Sequence, residues 1–171
     1  WIPVLRSAEV VSRVWQAGPS WLRIESEARH DGVLAYEEIT VKEGDTRWHR
    51  GGPFGQVITN EGRGGGGFSW SDEETLLDPS VLLGSHLFEV TGEMVAAGRP
   101  AIAVRAIPRE SRHGFELLPH WVDTLELLVD SERGILLRLE MQIDGEAISV
   151  AEITEIAFDL PIPGERFRPP D

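Results

Sequence analysis

The sequence predicts a mainly β protein of the α+β class, and the stretch Val122–Phe158 carries most of the evidence. Apolar and charged residues alternate there over three segments, which are Leu125–Val129, Ile135–Ile143 and Ile148–Phe158. Because successive side chains of a strand point to opposite faces, the alternation indicates one apolar and one charged face. The intervening segments Asp130–Gly134 and Asp144–Glu146 contain residues that tolerate positive φ, so the three strands are expected to form an antiparallel meander.

The N-terminal segment Ser7–Gln16 is predicted to form a helix. Ser7 is a suitable N-cap, Glu9 lies in the first turn, and Ala17–Pro19 is expected to end the helix. Four apolar side chains at helical spacing form the predicted buried stripe, namely Val10, Val11, Val14 and Trp15.

Three consecutive hairpin strands are predicted next, at Trp21–Ala28, Leu34–Val41 and Thr46–Arg50. The region from residue 51 to residue 67 is rich in glycine, and we expect a flexible surface loop there with a short strand at Val57–Thr59.

The middle of the chain is predicted to contain short helices over Asp72–Leu87, because acidic residues and a proline stand at helix starts. Strands resume at Phe88–Met94 and Ala101–Ile107, on either side of a turn at Ala97–Arg99. A chain of 171 residues without a domain-scale linker indicates one domain spanning residues 1–171. Sandwiches, closed barrels and half-open barrels all accommodate these elements.

The composition excludes several classes of function. A formal net charge of −13 disfavours binding to nucleic acid and to anionic lipid surfaces. The chain has no cysteine, which excludes disulfides, thiolate catalysis and zinc–thiolate sites. Because the sequence begins with Trp1, the localisation stays open: extracytoplasmic if a leader was removed, and otherwise cytoplasmic.

The sequence contains no motif for catalysis, and we expect a protein that is not an enzyme and uses no metal or cofactor. The five histidines lack metal-ligand spacing, and no serine lies in a nucleophile elbow. An enzyme would need His113 or His120 to meet a carboxylate such as that of Asp123. Four tryptophans at strand ends or loops either line a cavity or pack in the core, namely Trp21, Trp48, Trp70 and Trp121.

The order of elements resembles the LolA/LolB-like family of lipoprotein carriers. The resemblance is carried by the central Asp78–Leu83, by Val90–Glu93 followed by Gly98–Ala101, and by the ending Ile153–Asp159 with the tail Phe167–Pro170. The second of these segments is similar to uncharacterised actinobacterial members of the group.

The resemblance implies a curved antiparallel half-barrel of about 8–11 strands with an N-terminal helix and short lid helices. In such a fold an apolar cavity holds a lipid or the acyl chain of a lipoprotein, without covalent chemistry. The alternative that it implies is a regulatory or sensor domain on the same scaffold, which contacts a protein partner and holds no lipid. The family's lid-holding arginine has two candidate positions, Arg23 and Arg29.

The alternation of side chains predicts which residues line such a cavity. They are Leu22, Ile24, Phe88, Val90, Leu125, Leu127, Val129, Leu137, Leu139, Met141, Val150 and Ile156.

Overall fold

The computed structural model describes residues 8–18, 20–44, 46–51, 58–60, 72–109 and 122–168. These residues form ten strands, one α-helix and two 3-10 helices. The prediction of a mainly β protein of antiparallel strands is therefore confirmed, and the number of strands lies in the expected range. The contacts divide the chain into two compact units, which are residues 1–66 with 159–171, and residues 67–158.

The first unit contains a five-stranded antiparallel sheet in which each strand pairs with the next along the chain. The strands of this first sheet are β1 (Ala8–Ala17), β2 (Trp21–His30), β3 (Val33–Glu43), β4 (Thr46–Gly51) and β5 (Ile58–Asn60). The three predicted hairpin strands correspond to β2, β3 and β4, and the short strand predicted at Val57–Thr59 corresponds to β5. The rest of the predicted glycine-rich loop, residues 52–57 and 61–67, lies outside the described residues.

The predicted N-terminal helix is wrong, because this segment is strand β1. It pairs without interruption with β2, from Ala8 opposite His30 to Ala17 opposite Trp21. Gly18, expected to help end the helix, instead follows β1 with a φ of 64°. Valine restricts its own χ1 rotamers in a helix and packs well on a pleated surface, so a valine-rich segment favours the strand once a partner strand is adjacent.

The second unit contains another five-stranded antiparallel sheet, with the strand order β10-β9-β8-β7-β6. Two helical segments precede it, α1 (Asp72–Leu77) and a 3-10 helix (Pro79–Leu82), as predicted for this part of the chain. The strands are β6 (His86–Ala96), β7 (Arg99–Pro108), β8 (Thr124–Asp130), β9 (Leu136–Ile143) and β10 (Glu146–Glu152).

The last strand is shorter than the sequence pattern predicts. We expected it to run from Ile148 to Phe158, but β10 ends at Glu152 and its pairing with β9 shifts register at Ile148. The residues that follow leave the sheet, and the ring of Phe158 is flanked by the guanidinium groups of Arg99 at 4.9 Å and Arg133 at 4.7 Å. Cation–π contacts therefore anchor the end of this unit.

A buried ion pair fastens two hairpins of the second sheet to each other. Arg99, at the start of β7, donates hydrogen bonds to both carboxylate oxygens of Asp130, at the end of β8, and another to Glu132 at 2.7 Å. The Oδ1 atom of Asp130 also accepts from the backbone N–H groups of Glu132 and Arg133, both at 2.9 Å. The Arg99 guanidinium, aided by these two N–H groups and opposed by burial, lowers the pKa of Asp130 from 3.8 to about 2.

Candidate functional site

The second sheet has one apolar and one charged face, and the pairing register defines both. Val90, Val104, Leu127 and Leu139 stand opposite one another across β6, β7, β8 and β9. A parallel row contains Phe88, Ala106, Leu125 and Met141. Because directly opposed residues share a face, these two rows form a continuous surface that we call the apolar face.

Helix α1 covers the apolar face on the side of β9 and β10. Leu76 of α1 and Leu82 of the 3-10 helix are buried and join the core cluster that contains Val104, Leu125 and Leu139. Complete burial of an apolar side chain of this size stabilises the fold by about 1.5–3 kcal/mol. The centre of the face is therefore a packed core.

The apolar face becomes exposed where it reaches β6. Phe88 and Val90 stand opposite the buried Ala106 and Val104, yet their own side chains are 42% and 69% exposed. Among the described residues only β7 pairs with β6, which makes it an edge strand. The packed core thus continues into an open apolar strip, formed by Phe88 and Val90.

The opposite surface of the second sheet carries a row of ion pairs, and we call it the charged face. Arg105 donates to Glu126 at 2.7 Å, while Arg138 donates to Glu140 at 2.6 Å and to Glu152 at 3.1 Å. Hydrogen bonds from Gln142 and then Arg138 lower the pKa of Glu140. The predicted division into an apolar and a charged face is confirmed for this sheet.

Five predicted lining residues lie together on the centre and rim of the apolar face in β8 and β9. Leu125, Leu127 and Leu139 are fully enclosed, whereas Met141 is buried less completely and Val129 is half-buried. They line the core beneath the helical segments, and Phe88 and Val90 extend the same surface outward.

The other predicted lining residues lie elsewhere. Val150 stands opposite Glu140, on the charged face, because the shift of register at Ile148 reverses the expected alternation. Leu137 is fully buried beside a second shift of register, and Ile156 follows the end of β10 and is half-buried. Leu22 and Ile24 are buried in the first sheet.

Sequence reasoning missed four residues that build this face, and the sequence carries a signal for two of them. Val104 and Ala106 alternate within the strand predicted at Ala101–Ile107, and that alternation identifies them as inward-facing. Leu76 and Leu82 lie in the predicted helices, where only tertiary packing decides which side chains turn inward.

Arg23, one of the two positions considered for a lid-holding arginine, holds the C-terminal segment of the first unit. Its Nη1 donates to the carbonyl oxygens of Arg166 at 3.2 Å and Arg168 at 3.1 Å, next to the 3-10 helix Gly164–Phe167. Phe167 is buried, with its ring centroid 5.8 Å from that of Trp21. Arg29 instead contacts Glu27 and the carbonyl oxygen of Gly32, within its own hairpin.

A cleft of about 280 Å³ lies beside this contact. It is lined by Arg23, Pro163, Glu165 and Arg166. Three of its four lining residues are charged, so this cleft does not suit an acyl chain.

The described histidines form no catalytic or metal-binding cluster. His49 Nδ1 lies 3.1 Å from Thr40 Oγ1 and 3.4 Å from Glu38 Oε1, and His86 Nδ1 lies 2.8 Å from Ser85 Oγ. No group of three His, Asp or Glu side chains suited to a metal occurs within the described part of the chain. His113, His120, Trp70 and Trp121 lie outside the described residues.

Comparisons with known proteins identify the fold. No family model and no curated protein matches the sequence. Two solved structures align with 94% of the chain at 18% identity: the MucA/MucB complex of Pseudomonas aeruginosa, with a TM-score of 0.52, and MucB, with a TM-score of 0.51. The chain spans about half of these MucB chains, 49% and 50%. A putative outer membrane lipoprotein-sorting protein domain from Vibrio parahaemolyticus aligns at a TM-score of 0.32 and 10% identity, which is too remote to support an argument.

None of the described helices is both long enough and apolar enough to cross a membrane. At the identities observed, the likeness to MucB concerns the fold alone, and the chain shares the β-rich architecture of the part of MucB with which it aligns.

Proposed function

We propose that this protein binds a lipid-like acyl chain without catalysis, and that the open strip of the apolar face receives it. The observation that carries the proposal is the exposure of Phe88 and Val90 on the same face as the buried Val104 and Ala106. An acyl chain laid along β6 would extend a core that is already packed. The resemblance to LolA/LolB-like carriers supports the same ligand class.

Burial of methylene groups supplies the free energy of this binding. Each methylene removed from water contributes about 0.8 kcal/mol, so eight methylenes contribute roughly 6 kcal/mol before the cost of ordering the chain. The net charge of −13 opposes an anionic head group. The preferred ligand is therefore an acyl chain on a neutral or zwitterionic group, such as that of a lipid or an acylated protein.

The test is a titration of the delipidated protein with an environment-sensitive fluorescent acyl probe. Val90→Glu places a carboxylate on the apolar face, and we expect at least a tenfold loss of affinity because the acyl chain would have to desolvate it. Leu87→Glu is the matched control, since Leu87 is 55% exposed on the same strand but stands opposite Ile107 on the other face. We expect the control to change the affinity less than twofold.

An absence of saturable binding would refute the proposal, and so would an equal loss of affinity in the two variants. Equal losses would mean that the probe responds to added charge on β6 and not to the apolar face.

A second candidate is a regulatory domain that binds a protein partner on the same scaffold. The solved complex of MucB with MucA supports it, because that chain, of the same fold, was captured with another protein. The exposed edge of β6 provides a place for such contact. This candidate would be favoured if the acyl probe showed no saturable binding while a protein partner bound to the same chain.

A further inference from the structure

Strand β6 presents a long, exposed backbone edge in the described part of the chain. It has eleven residues, it ends the second sheet, and its pairing with β7 runs from His86 opposite Pro108 to Ala96 opposite Arg99. Every residue between its first and last is exposed. One side of β6 is thus paired with β7 along its length except at Thr91, while on its other side no described residue pairs with its backbone donors and acceptors.

This edge is only partly protected. Edge strands of stable proteins are commonly guarded by charged side chains, proline or a β-bulge, and His86–Ala96 has two glutamates and one bulge but no lysine or proline. The strand has one irregularity, a shift of register between Val90 and Gly92 that leaves Thr91 without an opposite residue. Its exposed large apolar side chains lie on both faces, and they are Leu87, Phe88, Val90, Met94 and Val95.

The charges of β6 select the chemistry of a partner. Glu89 and Glu93 are both exposed, and the strand contains no lysine or arginine. In an antiparallel pair of two β6 strands, four carboxylates would be brought together with one arginine per copy, Arg105 opposite Glu89, and each copy carries a net charge of −13. Charge repulsion therefore disfavours a second copy of this chain, whereas an extended segment with lysine or arginine would be attracted and paired.

We propose that β6 accepts an extended partner segment in which apolar and basic residues alternate, and that this segment adds a strand to the second sheet. Backbone hydrogen bonds supply affinity, apolar side chains of the segment cover Phe88 and Val90, and basic side chains on its other face pair with Glu89. Glu93 stands opposite Ile102 on the apolar face, beyond the shift of register, and adds longer-range attraction. The proposal specifies a partner for the interaction-domain candidate and does not depend on acyl binding.

The experiment uses the complete chain and three labelled seven-residue peptides. The first alternates lysine and valine, the second replaces lysine with glutamate, and the third replaces valine with proline. We expect only the first peptide to bind appreciably, with the proline peptide at least tenfold weaker, because proline cannot donate a backbone hydrogen bond. Amide hydrogen exchange should slow within His86–Ala96 on binding.

Paired charge reversals locate the site. Glu89→Lys with Glu93→Lys should weaken the basic peptide at least tenfold and allow the glutamate peptide to bind. The control, Glu146→Lys with Glu155→Lys, makes the same change of net charge at exposed positions away from β6 and should cost less than threefold.

Equal losses in the two double variants would overturn the proposal, because they would reveal a general attraction between a basic peptide and an acidic protein. Binding of the proline peptide as strong as that of the valine peptide would also overturn it. The acyl titration of the Glu89→Lys, Glu93→Lys variant is a separate measurement, so failure of peptide binding and failure of acyl binding remain distinguishable.

Discussion

The clearest case of energetic coupling at the scale of single residues is the Asp130 carboxylate. Asp130 is 1% exposed, and its carboxylate accepts hydrogen bonds from Arg99 at the start of β7 and from two backbone N–H groups that follow β8. It thereby joins the β6–β7 hairpin to the β8–β9 hairpin. A buried carboxylate is costly unless it is paired and hydrogen-bonded, and Asp130 is both. The sequence predicts a turn at this position, but it does not reveal that the residue's main partner lies 31 positions earlier.

Replacement of Asp130 by asparagine should reveal this coupling as a function of pH. The carboxyl pKa is lowered on folding from 3.8 to about 2, so its contribution is present above pH 3.8 and is lost as the pH falls towards 2. At about 1.4 kcal/mol per pKa unit, we expect Asp130→Asn to lower the free energy of unfolding by roughly 2 kcal/mol at neutral pH. Urea denaturation at pH 7 and below pH 3 checks this, and the difference should narrow at the lower pH.

Glu132→Gln is the control for this prediction. Glu132 accepts from the same arginine at 2.7 Å, but its carboxylate is largely exposed and its ion pair is screened by water. A loss of stability as large as that of Asp130→Asn would show that the contact with Arg99, and not the burial of Asp130, determines the effect.

At the scale of elements, the sequence predicts strands well where turn residues bound them. The turn at Ala97–Arg99 is present, with Ala97 and Gly98 at φ values of 50° and 71°, and the meander of β8, β9 and β10 starts where predicted. Strand β1 was mispredicted because apolar residues at positions 10, 11, 14 and 15 fit a helical stripe, and only the pairing with β2 decides between the two structures.

Alternation places seven of the predicted lining residues on the apolar face, including Phe88 and Val90 at its rim, and shifts of register explain where it fails in the second sheet. Alternation identifies Leu125, Leu127, Leu139 and Met141 correctly as neighbours on one face. It fails at Val150 because the strand gains a residue at Ile148, and a one-residue shift moves the following side chains to the other face. Local sequence does not mark where such a shift occurs.

The C-terminal segment Gly164–Phe167 is an element whose attachment can be tested by proteolysis. Arg23→Ala removes the donor to the carbonyl oxygens of Arg166 and Arg168, so the segment should open more often. We expect trypsin to cleave after Arg166 several times faster than in the unmodified protein, as followed by mass spectrometry.

Arg29→Ala is the matched control for the trypsin experiment, because Arg29 lies on the same strand but contacts only its own hairpin in the described structure. Its cleavage rate after Arg166 should not change. Equal acceleration in both variants would mean that general loss of stability, and not the release of this segment, controls cleavage.

At the scale of the whole molecule, the excess of 29 acidic over 16 basic side chains is the dominant feature. The ion pairs of the charged face neutralise part of this charge locally, but Arg138 is shared between Glu140 and Glu152. Repulsion among the remaining carboxylates opposes the compact state.

Salt should therefore stabilise the protein. Raising the NaCl concentration from about 0.05 M to about 0.5 M screens the repulsion, and we expect the free energy of unfolding to increase by on the order of 1 kcal/mol. In the Glu146→Lys, Glu155→Lys variant each substitution replaces a negative by a positive charge, so the net charge rises from −13 to −9 and the gain in stability with salt should be smaller. A loss of stability with added salt would indicate that the ion pairs outweigh the repulsion.

The register shift at Thr91 should also oppose the polymerisation of this chain at high concentration. It divides the outer edge of β6 into two tracts, His86–Val90 and Gly92–Ala96, and each is shorter than the six or so residues from which fibrils are typically built. A long uninterrupted strand edge would favour the addition of further copies of the chain, whereas two short tracts restrict that addition. The same irregularity that limits fibril formation leaves enough backbone for one short guest strand at a time.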